Sequence, residues 1–323
     1  VDFELSDDQL ALKEGVQAFC QSRFSSEKLH ELADSQAMTR QLWGELAEMG
    51  VFSLGLPEEL GGAGLGWVEA VVVFEELGKY LVPGPLAATY LLAMQSKGAA
   101  NKAAIGEEIA TLAVAGEAPH FIEHPELANA ILVEGEEEVG LVDGPASRQL
   151  LEQAEVVPAL DPLTPVAKLD APLPPGEILE GAWQQGATLV SAQQLGLAAG
   201  ALEQAVAYAG ERKQFGKSIG QFQAVKHLCA DMLTAVEVAR AAVYYAGALL
   251  DDPDIADVGR AVSVARITAS EAAELCGRHC VQIHGGMGYT WEMDAHLFLK
   301  RAWVLDTVFG TADTHAEKLA AFC

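Results

Sequence analysis

The strongest constraint on this chain is the apolar periodicity of residues 176–323. In ATLVSAQQLGLAAGALEQAVAYAGERK, Leu189, Ala192, Leu195, Ala199, Leu202 and Val206 recur at helical spacing along one face. A second helix is predicted from about Gln221, carrying Phe222, Val225, Cys229, Met232 and Val236. A third runs from Val258 to Gln282, and a last covers Asp294–Thr307. Four long amphipathic helices in succession must bury four apolar stripes. An antiparallel four-helix bundle does so with short connections.

The amino-terminal zone is helical as well. Leu10, Leu12, Val16, Phe19 and Phe24 follow near-helical spacing, with Ser6 as the expected N-cap before Asp7 and Asp8. MTRQLWGELAEMG predicts a second helix closed by Gly50, and WVEAVVVFEELGKYL a third. Pro83 and Pro85 are expected to end regular structure there. Between the helical zones, short apolar stretches (IATLAVAG, NAILVEG, EVGLVDG, EVVPAL) are cut by Gly, Pro and acidic residues, a strand-and-turn texture. PLTPVAKLDAPLPPGEIL marks its end. The expectation is an α+β, mostly α chain of three domains. These are an N-terminal helical domain over 1–100, a small reduced middle β domain over 101–175 and a C-terminal helical bundle over 176–323.

Charge narrows the function. Acidic residues outnumber basic ones 46 to 20, for a formal net charge of -26. Such a field repels phosphate backbones and anionic membrane surfaces, so neither a nucleic acid nor a membrane is an expected partner. Apolar runs such as AVVVF at 70–74 are too short to span a bilayer. Cys20, Cys229, Cys276, Cys280 and Cys323 are scattered and odd in number, which is no disulfide framework and suits a reducing cytosol. The opening VDFELSDDQL has neither a basic nor an apolar signal region, and a cytoplasmic location is expected.

Several motifs carry chemistry in principle. GGAGLG at 61–66 has nucleotide-loop spacing but no βαβ context, and reads as an ordinary loop. Cys276, His279, Cys280 and His284 lack a second ligand pair at structural-zinc spacing; they read as buried thiols and a helix-end histidine, and no metal is expected. His120 and His124 are assigned no role. ERKQFGKSIGQFQAVKH gathers Arg212, Lys213, Lys217 and Lys226 with Phe215 and Phe222 interleaved. An anion bearing an aromatic ring system would suit it, and so would a plain solvated turn; both readings stand. In QIHGGMGYTWE, Gly285, Gly286 and Gly288 allow close backbone approach to a ligand, although a helix C-cap and tight turn account for them more simply.

RKQFGKSIGQFQAVKHLCADM followed by QIHGGMGYTWEMDAHLFLKRA resembles the C-terminal domain of the acyl-CoA dehydrogenases. LPEELGGAGLG followed by FEELGKYL resembles their N-terminal domain. The resemblance implies oxidation of the Cα–Cβ bond of an acyl-CoA: a glutamate takes the α proton and FAD takes the β hydride. In that family the flavin ring sits on one subunit's β domain, and its pyrophosphate and adenosine on a neighbouring subunit's C-terminal domain. Carried over by motif, Arg212, Phe215 and Gln223 would meet a neighbour's FAD, and Gln282, Gly285 and Gly286 would line its pyrophosphate. A rigid guanidinium fork matches phosphate oxygens.

The chain departs from that family where the chemistry would be. The base commonly precedes a Gly-Thr pair; here Gly310–Thr311 follows Phe309, and a phenyl ring accepts no proton. The alternative place on the first bundle helix falls near Gly186–Ala187, again without a carboxylate. Glu180 and Asp306 are nearby acids, and neither is assigned as a base. Where the family has a threonine–glutamate–proline stretch ending in Gly-Ser-Asp, this chain reads ATLAVAGEAPHF. Some bacterial members form α2β2 assemblies of one competent and one degenerate chain, often acting on bulky acyl-CoAs including steroid side-chain thioesters. The resemblance therefore implies a degenerate subunit with no catalytic residue of its own. It would complete an FAD shared with a catalytic homologue that carries the acyl-CoA. Two alternatives stand beside it: a self-sufficient acyl-CoA dehydrogenase with a relocated base, and a flavin-free structural homologue.

Overall fold

The computed structural model describes residues 5–35, 38–95 and 100–321; Cys323 lies outside them. In chain order come α1 (Asp7–Arg23), α2 (Ser26–Ser35), α3 (Arg40–Glu48), α4 (Trp67–Lys79), α5 (Leu86–Gln95) and α6 (Ala100–Ala104). The middle of the chain holds β1 (Ala110–Val114), β2 (His120–Glu123), β3 (Ala130–Glu134), β4 (Val139–Val142), α7 (Gly144–Gln153), β5 (Glu155–Val157), β6 (Val166–Leu169) and β7 (Glu177–Ile178). Then follow α8 (Ala182–Glu211), β8 (Lys213–Gln214), β9 (Lys217–Ser218), α9 (Gln223–Asp251), α10 (Val258–His284), α11 (Ala295–Leu305) and α12 (Ala312–Ala320). The mostly helical fold with a small β region and a C-terminal bundle is the expected class. Packing divides the described residues into two compact units, one drawn from 1–26, 71–82 and 190–323, the other from 27–70 and 83–189.

The first unit is helical. Ser6 caps α1, accepting from Gln9 N–H at 3.2 Å while the Gln9 side chain accepts from Ser6 N–H at 3.0 Å, a reciprocal capping box. α10 lies against α9, α11 and α12. The α4 segment 71–79 and α8 cross almost backbone to backbone. A Cβ on Gly78 would overlap the Gln193 carbonyl, one on Gly196 the Glu75 carbonyl, and one on Gly200 would lie 2.6 Å from the Lys79 carbonyl oxygen. Beside this crossing, Glu75 is buried and ion-paired with Arg240, and it accepts from the Tyr244 hydroxyl at 2.7 Å. Burial alone would raise the Glu75 pKa, but Arg240, Lys13 and Tyr244 outweigh it and hold the carboxylate ionised. Arg266, fully buried, donates to Gln194 Oε1 at 2.5 Å and to the carbonyls of Leu305 at 2.6 Å and Val308 at 3.0 Å, closing the carboxyl end of α11. By length and composition α9 could cross a membrane, contrary to the sequence expectation. Its Met232, Val236, Ala239 and Val243 are instead buried in the bundle.

The second unit carries two sheets, while the β8–β9 hairpin belongs to the first. One has strand order β1-β3-β4-β7, with β1 and β3 parallel and the other pairs antiparallel; the other is the antiparallel β2-β6-β5. Ala113, Ile122, Ile131, Val133, Val142, Leu150 and Leu169 make a common core under α7. Trp43 of α3 is fully buried and stacks on Phe52 at 4.7 Å. Two elements depart from expectation here. Pro83 and Pro85 do lie in a break after α4, but the break is short: α5 begins at Leu86, and the Pro85 carbonyl accepts from Thr89 N–H at 3.0 Å. Proline is tolerated where a helix begins, because its missing N–H would have no partner there. The strand-and-turn zone also contains α7, which starts on Gly144–Pro145 by the same rule. The glycine loop at 61–66 is an ordinary connection, with φ of 79° at Gly61 and 62° at Gly64.

Candidate functional site

The candidate site is built at two helix ends of the first unit. α8 ends at Glu211, and Arg212 follows, its N–H donating to the Tyr208 carbonyl at 2.8 Å. β8 and β9 then form a hairpin pairing Lys213 with Ser218 and Gln214 with Lys217. Its two-residue turn is Phe215–Gly216, with φ of 51° and 78°. Positive φ at both positions matches the right-handed strand twist, and the first position normally takes Asn, Asp or Gly. A phenylalanine there is strained, and this one is 91% exposed. Strain and an exposed ring at one residue are two penalties, a combination that points to function.

The return of the hairpin is held firmly. Ile219 N–H donates to the Arg212 carbonyl at 2.8 Å, and a Cβ on Gly220 would lie 3.0 Å from the Ala209 carbonyl oxygen. Phe222 meets Phe215 edge-to-face at 6.1 Å, with Lys217 Nζ 4.3 Å from the Phe222 ring centroid. Arg212 and Gln223 are both exposed, Gln223 as the first residue of α9. Arg212 makes no ion pair among the described residues, although acids outnumber bases more than two to one.

The second helix end is that of α10. Gln282 is exposed on its last turn, and Gly285 caps it with φ of 62°. Gly288 is buried, where a Cβ would sit 2.7 Å from the Val281 carbonyl oxygen. The fold thus requires Gly285 for its dihedral and Gly288 for its packing. Gly286 has neither reason: its φ is ordinary and a Cβ there would meet nothing within 4 Å. Its bareness leaves backbone open to a ligand. The two helix ends meet through Tyr208 and His284, whose rings stack at 4.1 Å with 23° between planes. Tyr208 joins the two ends of the candidate site, and the sequence reading did not include it. Its position one helical turn before Arg212 was the available signal.

Phe309, Gly186, Ala187 and Asp306 are packed into the fold, and Glu180 is not. Phe309 is 1% exposed with φ of 52°, and its carbonyl accepts from His315 Nε2 at 2.9 Å. Gly186 and Ala187 are buried within α8. Asp306 accepts from the Ser270 hydroxyl at 2.6 Å and from Ala312 N–H at 3.2 Å, with Arg266 3.6 Å away. Glu180 is exposed just before α8. Burial pushes the thiols of Cys276 and Cys280 up to about 12, so both stay protonated at neutral pH. No group of three His, Cys, Asp or Glu able to hold a metal occurs among the described residues.

The fold and site together define a mostly helical scaffold with an exposed cationic and glycine-lined edge on its bundle. Family models agree: residues 6–108 match the acyl-CoA dehydrogenase N-terminal domain and residues 177–323 the acyl-CoA dehydrogenase C-terminal domain. The chain is 34% identical to the acyl-CoA dehydrogenase IpdE2 of Mycolicibacterium smegmatis, over 98% of this chain and 99% of that one. It is also 34% identical to the acyl-CoA dehydrogenase FadE34 of Mycobacterium tuberculosis, over 87% of this chain but only 42% of the length of FadE34. The chain belongs to the acyl-CoA dehydrogenase family. Its fold matches the ChsE4–ChsE5 complex of Mycobacterium tuberculosis with a TM-score of 0.80 at 23% identity, covering 99% of this chain and 98% of that one. It matches the Tcur3481–Tcur3483 steroid acyl-CoA dehydrogenase with a TM-score of 0.82 at 23% identity, covering 98% and 97%.

Proposed function

We propose that this chain is the non-catalytic subunit of a flavin-dependent acyl-CoA dehydrogenase, cytoplasmic, with domains at 1–100, 101–175 and 176–323. It would complete the FAD site of a catalytic homologue in an α2β2 assembly. When bound, FAD supplies the acceptor for the β hydride of the acyl-CoA. The residues on this chain fit the outer part of such a cofactor. Arg212 offers an uncompensated guanidinium to phosphate, and Phe215 and Gln223 present a ring and an amide beside it. Gln282, Gly285 and Gly286 offer an amide and an unobstructed turn. A general base must reach the proton it removes, and the buried phenyl ring of Phe309 stands where that carboxylate would act.

The observation that carries the reading is the contrast between these two places: an exposed Arg212 with no ion pair among the described residues, and a buried Phe309 before the Gly310–Thr311 pair. The steroid acyl-CoA dehydrogenase among the fold matches, and the two-protein complex beside it, favour a bulky acyl-CoA as substrate, held on the partner. The test is Arg212→Ala in the co-expressed complex. Flavin content after gel filtration should fall while this chain keeps its melting temperature. Unchanged flavin content would remove Arg212 from the cofactor site.

A further inference from the structure

The two halves of the proposed phosphate edge lie on different helices, and their relative placement must be set by something between them. The Tyr208–His284 stack occupies that position. Tyr208 is one turn before Arg212, and its carbonyl accepts the Arg212 N–H at 2.8 Å. Its ring lies on the imidazole of His284 at 4.1 Å. His284 is 4% exposed and directly precedes the Gly285 cap. Its Nδ1–H donates to the Cys280 carbonyl at 2.8 Å, which fixes the ring plane. Its Nε2 is buried without a hydrogen-bond partner among the described residues. A bare buried nitrogen is unfavourable, so packing alone does not account for a histidine here. A phenyl ring would fill the space but could not be oriented by that carbonyl.

We propose that Tyr208 and His284 are a positioning pair that holds the Gly285–Gly286 turn in register with the Arg212 hairpin, so that guanidinium and turn backbone meet a single diphosphate group. The inference rests on the nucleotide reading of the site given above. Rings stacked in this way carry orientation as well as apolar contact. Glycines on the far side would otherwise leave the turn free to shift.

The full-length chain, alone, is the material for the test, with ADP as the diphosphate probe. Three quantities are read on each variant: amide hydrogen exchange over 285–289, ADP affinity by calorimetry and melting temperature. Tyr208→Phe keeps the ring and should match the wild type in all three. Tyr208→Leu keeps apolar bulk without the ring, and Tyr208→Ala removes both. Each should speed exchange over 285–289 and weaken ADP binding about three- to tenfold, the equilibrium weight of an aromatic pair. Tyr208→Leu decides the matter if Tyr208→Ala fails to fold. Unchanged exchange and ADP affinity in Tyr208→Leu, with Arg212→Ala still losing ADP, would overturn the positioning pair and leave the nucleotide reading standing. Failure of the wild-type chain to bind ADP would overturn both.

Discussion

His315 gives the fold an acid sensitivity beside Phe309. Its side chain is fully buried between Ser263 Oγ, 3.0 Å from Nδ1, and the Phe309 carbonyl, 2.9 Å from Nε2. It thereby ties α12 to α10 and to the left-handed turn at Phe309. Burial lowers its pKa from 6.5 to about 4; Arg266 and Lys318 add to that shift, while the Phe309 carbonyl and Asp306 oppose it. The unfolded chain therefore binds a proton that the folded chain refuses. The stabilisation is complete above the unfolded value and is lost as pH falls toward the folded one. The loss amounts to about 1 kcal/mol at pH 5.5 and about 3 kcal/mol at pH 4. Aggregation near the sequence pI of 4.5 makes the upper part of this range the useful one. The perturbation is His315→Gln, and the assay is urea unfolding of both proteins from pH 7.5 to pH 5.5. The wild type should be the more stable at pH 7.5, and its advantage should shrink by about 1 kcal/mol across the range. A gap that stays constant, or widens as pH falls, would refute a neutral, buried imidazole.

Glycine substitutions should separate folding from function. Gly286→Ala should leave the melting temperature unchanged or slightly raised, yet lower flavin retention in the complex; Gly288→Ala, aimed at the Val281 carbonyl oxygen, should cost about 1–3 kcal/mol of stability in urea unfolding. Gly196→Ala should destabilise by about 3 kcal/mol or more in thermal melts, because a methyl group would overlap the Glu75 carbonyl. Gly210→Ala, with no neighbour within 4 Å in the last turn of α8, should stabilise by about 0.5–1 kcal/mol. Arg240→Met should cost about 3–5 kcal/mol in urea unfolding, since it strips the main counter-charge from the buried Glu75 carboxylate.

The helices with a clear polar face were legible in the sequence because one stripe of each is buried. The Ser6 cap and the Gly50 stop behaved as their side-chain chemistry dictates, with Gly50 at φ of 87°. α5 was not legible, since Leu86–Ala93 is buried on every side and shows no period to read. α7 was hidden by prolines and glycines around it that also suit strands and turns. Of the candidate site, residue types were readable but necessity was not. Glycine spacing alone does not separate Gly285, Gly286 and Gly288. Dihedrals and distances show two of them serving the fold and leave Gly286 for another role. The Tyr208–His284 contact joins positions 76 residues apart, and no local pattern announces it.

The central claim is that this chain offers half of a flavin site and owns none. Flavin absorbance per polypeptide tests it most directly, measured on the isolated chain and on its complex with an acyl-CoA dehydrogenase that carries a glutamate before its Gly-Thr pair. The account predicts an isolated chain that retains no flavin through gel filtration and a yellow complex holding one flavin per pair of chains. An isolated chain that binds flavin by itself and oxidises an acyl-CoA would contradict it.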